Sequence, residues 1–71
     1  MMINKVSNYR KFMGLTQQEM ADYLSISVQA YRKKEKNFTP FKDAEKLLIR
    51  DKVKKYGFLD ITIDDIFFTS K

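Results

Sequence analysis

Leu15-Thr16-Gln17-Gln18-Glu19-Met20-Ala21-Asp22-Tyr23-Leu24-Ser25-Ile26-Ser27-Val28-Gln29-Ala30-Tyr31-Arg32-Lys33-Lys34-Glu35 decides the fold of this chain. It reads as two short helices joined by a tight turn. Thr16 and Glu19 stand at T-x-x-E spacing, so each side chain can satisfy the other's exposed backbone amide; Leu15, before the cap, can staple onto Met20. Met20, Ala21 and Leu24 recur at helical spacing and make an inner face. Ser25-Ile26 is the turn. Ser27 caps the next helix, Val28 to Lys36, with Ala30 and Tyr31 pointing inward and Gln29, Arg32, Lys33 and Lys36 on other faces. Asn37 tolerates the left-handed conformation and stops that helix.

Working outward, a helix is expected from about Asn4 to Met13. Val6, Tyr9 or Arg10, and Met13 share a face, and Gly14 follows as the terminating residue. Pro40 cannot continue the upstream helix. A fourth helix is expected from Phe41 or Lys42 to Tyr56, its apolar stripe made by Ala44, Leu47 and Leu48, with Gly57 ending it. Phe58-Leu59-Asp60-Ile61-Thr62 reads as extended. Thr62 or Asp60 then caps a last turn, Ile63 to Phe68. The expected fold class is all-α: five mostly short helices in one domain, residues 1–71.

Composition narrows the function. Seventy-one residues, 44% apolar, support one modest core. There is no cysteine and no histidine, so disulfides, Cys/His zinc sites and histidine acid–base chemistry are excluded. The two glycines, Gly14 and Gly57, are isolated, so no Gly-rich phosphate loop exists. Nothing resembles a signal peptide or a bilayer-spanning run, and the expectation is a cytoplasmic protein without membrane association. The net charge of +5 is uneven. Residues 1–40 carry seven basic and three acidic side chains, whereas residues 41–71 carry seven and six. The excess therefore accompanies the paired helices, which suits a polyanion; a solvated basic surface is the plainer account.

A helix-turn-helix has steric requirements that this stretch meets. Ala21 is small where the second helix must approach closely. Ser25 is compact at the turn. Met20, Leu24, Ile26 and Tyr31 can lock the pair together, leaving the start of the second helix to face a major groove. With Gly14-Leu-Thr-Gln17-Gln-Glu19-Met-Ala21-Asp-Tyr-Leu24-Ser-Ile26-Ser27, then Tyr31, Glu35 and Ile63-Asp-Asp-Ile66-Phe67, residues 3–68 resemble the small regulators of the lambdoid repressor and Cro class, the XRE family. The resemblance implies a compact five-helix lambda-repressor-like domain whose second and third helices form the DNA-binding motif, usually a dimer on a two-fold operator and often of phage or prophage origin. Two positions depart from the pattern. Ser25 stands where glycine is usual, at a left-handed cost on the order of 1 kcal/mol. Lys34 stands where an apolar residue is common, and its stem is expected to cover the core while the ammonium snorkels out.

Roles follow by position. Gln17 matches the family's glutamine that touches a phosphate and braces the recognition helix. Val28, Gln29, Arg32 and Lys33 are base-edge candidates: Val28 for a thymine methyl, Gln29 for adenine, Arg32 or Lys33 for guanine. Lys11, Lys36, Asn37, Thr39 and Lys42 are phosphate candidates, the alternative being ordinary solvated charge. Arg10 and Glu35 match a structural ion pair of the family. Ile63, Ile66, Phe67 and Phe68 are the candidate dimer surface, although some of them can serve the monomer core. Tyr9, Phe12, Tyr23, Phe38 and Tyr56 read as packing residues. Asp64 and Asp65 are adjacent in the first turn of a helix, where negative charge suits the dipole, and do not form a metal or catalytic pair.

The sequence thus points to a sequence-specific, double-stranded-DNA-binding regulator of transcription. It would be repressor- or Cro-like, acting by operator occupancy as a homodimer, with no catalytic residues, cofactor, metal or small-molecule ligand. The alternative is a protein-binding module on the same scaffold, an antitoxin or anti-repressor.

Overall fold

Helix ends decide this architecture, because every helix is short and must be stopped cleanly. The computed structural model describes residues 4–67, and Phe68 of the expected dimer surface lies outside them. Five helices follow in order: α1 (Val6–Phe12), α2 (Gln17–Leu24), α3 (Val28–Glu35), α4 (Asp43–Lys55) and α5 (Ile63–Phe67). There is no strand among the described residues. The region expected to be extended, Phe58 to Thr62, is instead bent by a turn at Leu59 and Asp60, closed by Ile61 N–H donating to the Phe58 carbonyl at 3.1 Å.

The caps read from sequence are present. Thr16 Oγ1 accepts from Glu19 N at 3.0 Å, and Glu19 Oε1 accepts from Thr16 N at 2.8 Å. Ser27 Oγ accepts from Ala30 N at 3.1 Å. Thr62 and Asp65 form the same reciprocal pair before α5, at 3.2 and 3.0 Å, so the Asp65 carboxylate serves a helix start. Gly14, Ser25 and Asn37 all hold positive φ, at 73°, 60° and 68°. Ser25 is the costly one, since a β-carbon crowds the carbonyl there. The turn it makes is fixed by Ile26 N–H donating to the Ala21 carbonyl at 3.0 Å.

The core is built from all five helices. Val6, Met20, Tyr31, Ile49, Val53 and Ile66 are fully buried, with Ala21, Leu24, Met13, Phe41 and Phe67 around them. Tyr31, Phe41 and Phe67 form an edge-to-face chain at 6.2 and 5.4 Å. Helices α2 and α3 pack together, as do α4 and α5. The start of α1 is tied to α5 by Lys5 N–H donating to the Ile66 carbonyl at 2.7 Å.

Three expectations are corrected. The inner stripe of α4 is Glu45, Ile49 and Val53; Ala44 is exposed, and Leu47 and Leu48 are 44% and 41% exposed. The helix is turned so that a carboxylate faces in, which requires a cation from elsewhere. Phe38 is not a packing residue, being 77% exposed, and Phe12, 61% exposed, packs only against the Phe58 ring at the surface. Ile66 and Phe67 are buried within the monomer, so of the expected dimer residues described, only half-buried Ile63 keeps surface to offer.

Candidate nucleic-acid interface

Helix α3 divides cleanly. Tyr31 and Lys34 are buried, and Ala30 and Glu35 are half-buried beside them. Gln29, Arg32 and Lys33 are exposed, as is Lys36 at the C-cap. Residues 29, 32, 33 and 36 follow helical spacing, so they share one outward face. Val28 is half-buried and packs against the core, so only part of it borders that face. The outward face carries three cations and an amide. Two of these cations, Arg32 and Lys33, lie in the last turn and suit the helix dipole, which lowers the cost of holding them there.

What sets the pose of that face lies behind it. Glu35 accepts from Arg10 Nε at 2.9 Å, from Gln17 Nε2 at 2.9 Å and from the Tyr31 hydroxyl at 2.6 Å. Arg10 also donates to the Leu15 carbonyl at 2.8 Å. One carboxylate thereby joins α1, the start of α2 and α3. Burial pushes the Glu35 carboxyl up, but hydrogen bonds from Arg10, Tyr31 and Gln17 and the Arg10 charge outweigh it and hold it below its ordinary value. Burial, then the bond to Glu35, pushes the Tyr31 hydroxyl well up. The bond to Glu35 raises Arg10, with burial opposing it.

Gln17 carries this bracing outward. Its Oε1 accepts from Arg32 Nε at 3.1 Å while its Nε2 holds Glu35. Arg32 is therefore the one basic residue of the exposed face with a fixed root. Its Nε is engaged, and the two terminal nitrogens form the outer edge of the guanidinium.

A second tie runs from α3 to α4. Lys34 Nζ donates to both oxygens of Glu45, at 2.6 and 2.8 Å, and both side chains are 8% exposed. Lys34 does not snorkel; its ammonium is buried in an ion pair. Glu45 also accepts from Lys42 N at 2.8 Å, closing the start of α4. Burial raises the Glu45 carboxyl, and Lys34 with the Lys42 amide more than reverses this, leaving it below its ordinary value.

The expected phosphate contacts Lys11, Lys36, Asn37, Thr39 and Lys42 are all exposed. Lys36, Asn37, Thr39 and Lys42 come together with α3, since they lie on its C-cap and the loop after it. Lys11 lies on α1. The loop is held: Asn4 Nδ2 donates to the Lys34 carbonyl at 3.2 Å and to Asn37 Oδ1 at 2.9 Å. Phe38 and Thr39 N–H both donate to the Lys33 carbonyl, at 2.8 and 3.4 Å.

Asn4, the Lys34–Glu45 pair and the Tyr31 hydroxyl escaped the sequence reading. Tyr31 and Glu35 stand four apart, so that contact had a local signal. Asn4 and Glu45 pair across long sequence distances and had none. No group of three or more His, Cys, Asp or Glu side chains that could hold a metal occurs among the described residues, and no helix there is long and apolar enough to cross a membrane. No protein-family model matches the chain, and no curated protein matches it in sequence.

Proposed function

We propose that this protein is a sequence-specific duplex-DNA-binding regulator of the lambda-repressor-like type, with α2 and α3 as its helix-turn-helix. The observation that carries the proposal is the outward face of α3. Gln29, Arg32, Lys33 and Lys36 share it, and the helix beneath is braced through Glu35 to two other helices. A major groove reader needs this combination. Polar side chains must project at fixed positions, because bidentate pairing with a base tolerates little misplacement.

Each role follows from geometry and charge. Arg32, rooted on Gln17, offers its two terminal nitrogens to guanine O6 and N7, and Gln29 offers its amide to adenine. Lys33 and Lys36 lie on the same face and reach base edges or the strand beside them. Gln17 keeps one amide hydrogen beyond its bond to Glu35, which suits a phosphate oxygen. Half-buried Val28 takes the smaller part of a thymine methyl contact. Regulation would then be by occupancy: a cytoplasmic homodimer places two such helices in grooves about 34 Å apart and blocks or redirects polymerase.

Selection from a random duplex pool, followed by sequencing, tests the proposal. A two-fold site with half-sites about one helical turn apart is expected, with affinity falling steeply as salt rises. A pool that enriches nothing would reject DNA recognition and favour a protein partner for the same face.

A further inference from the structure

Phe38 has the most exposed large apolar side chain among the described residues, at 77%. It stands amid polar and basic surface, with Lys36, Asn37, Thr39 and Lys42 all exposed around it in the chain. Phe12, also well exposed, at least stacks edge-on against Phe58 at 5.1 Å. An aromatic ring presented to water on a basic loop costs hydration free energy without a return in the monomer.

The backbone beneath Phe38 is tied down by hydrogen bonds. Asn37 holds φ 68° just before it. Asn4 clamps Asn37 from the side, and the Phe38 amide is bonded to the Lys33 carbonyl at 2.8 Å. The ring therefore leaves the protein from a fixed point at the C-terminal end of α3, on the loop that carries most of the phosphate candidates.

Resting on the proposed function, we propose that Phe38 is an apolar duplex contact that lays its ring against the sugars of the strand bordering the groove. Helix α3 has eight residues and is about 12 Å long at 1.5 Å per residue. The major groove is about 12 Å wide. With the start of α3 at the base edges, the loop beyond its other end meets the groove wall. The cations on that loop bring it against phosphates, and between phosphates the wall is deoxyribose, an apolar surface that a flat ring can cover. The contact adds affinity without neutralising charge. The salt slope counts neutralised phosphates, so Phe38 raises affinity and leaves the slope alone.

The test compares Phe38→Ala, Phe38→Leu and Lys36→Ala with the unmodified protein. Binding is read by fluorescence anisotropy, on a labelled random-sequence duplex and on the site enriched by selection, across a salt series. Phe38→Ala is expected to weaken binding about tenfold at every salt concentration, which is about 1.4 kcal/mol. Phe38→Leu should recover part of the loss, and Lys36→Ala should reduce the slope by about 1. Because Phe38 is exposed, the thermal melt of each Phe38 variant should match the parent. Unchanged affinity in Phe38→Ala overturns the inference while leaving DNA recognition standing, provided that Gln29→Ala with Arg32→Ala still abolishes the selected site. A changed sedimentation state with unchanged intrinsic affinity also overturns it and assigns the ring to self-association. If the unmodified protein binds neither duplex, the inference and the proposed function fail together.

Discussion

Replacing Lys34 with methionine isolates the buried tie between α3 and α4. The stem is conserved in length and the charge is removed. In the parent, Nζ lies 2.6 Å from Glu45 Oε1. At that distance, with an effective dielectric of about 20, the attraction is roughly 6 kcal/mol. Desolvating the two ions cancels much of this, so the intact pair contributes little net. Removing the lysine leaves the desolvated carboxylate with the Lys42 amide as its remaining bond, and the expected loss near neutral pH is about 3–5 kcal/mol. A domain of this size has roughly 4–11 kcal/mol in all, so the variant should be marginal.

The sign with pH is diagnostic. In the parent, the Glu45 carboxyl lies below its ordinary value of 4.5, so its contribution is present above that pH and lost as pH falls. In Lys34→Met the stranded carboxyl lies above its ordinary value, so the variant regains stability as pH falls and the proton returns. The difference between the two proteins should shrink as pH falls towards and below 4.5. Urea unfolding followed by circular dichroism, at several pH values, measures it. Adding Glu45→Gln keeps an acceptor for Lys42 N and removes the stranded charge, so the double variant should be more stable than Lys34→Met at neutral pH. A loss below about 1 kcal/mol in Lys34→Met, or a double variant weaker than the single, would refute the reasoning.

Other outcomes follow from the same geometry. Ser25→Gly should stabilise the fold by about 0.5–1 kcal/mol in thermal melts, because φ of 60° is strained for serine and free for glycine. The parent should lose stability in acid below pH 4.5, since Glu35 and Glu45 both sit under that ordinary value and must release protons on folding there; a pH series of melting temperatures checks this. Gln17→Ala frees Arg32 from its root and should weaken binding to the selected duplex about tenfold; because it also removes one of the bonds to the Glu35 carboxylate, it should lower the melting temperature measurably.

What the sequence disclosed was mostly local. Thr16 with Glu19, Ser27, Ser25, Gly14 and Asn37 each act within a few residues of themselves, so spacing and residue type were enough. Arg10 and Glu35 were legible only through the family resemblance, and they do pair at 2.9 Å. Helix α4 shows the limit. Its sequence carries two competing stripes, and counting apolar residues favours Ala44, Leu47 and Leu48. The stripe that faces inward includes Glu45, which makes sense only beside Lys34 from another helix. Phe38 was misread for a related reason: an aromatic is assigned to packing by default, and its exposure follows from how Asn4 and Asn37 fix the loop. Ile66 and Phe67 were divided between core and dimer surface, and the core took both.

Amide chemical-shift mapping with the selected duplex tests the central claim most directly. The account predicts the largest changes at Gln17, along Val28, Gln29, Arg32, Lys33 and Lys36, and through Asn37 to Lys42. The outer face of α4 around Leu47 and Leu48 should stay quiet. Changes confined to that α4 face, or none on α3 at saturating duplex, would contradict it.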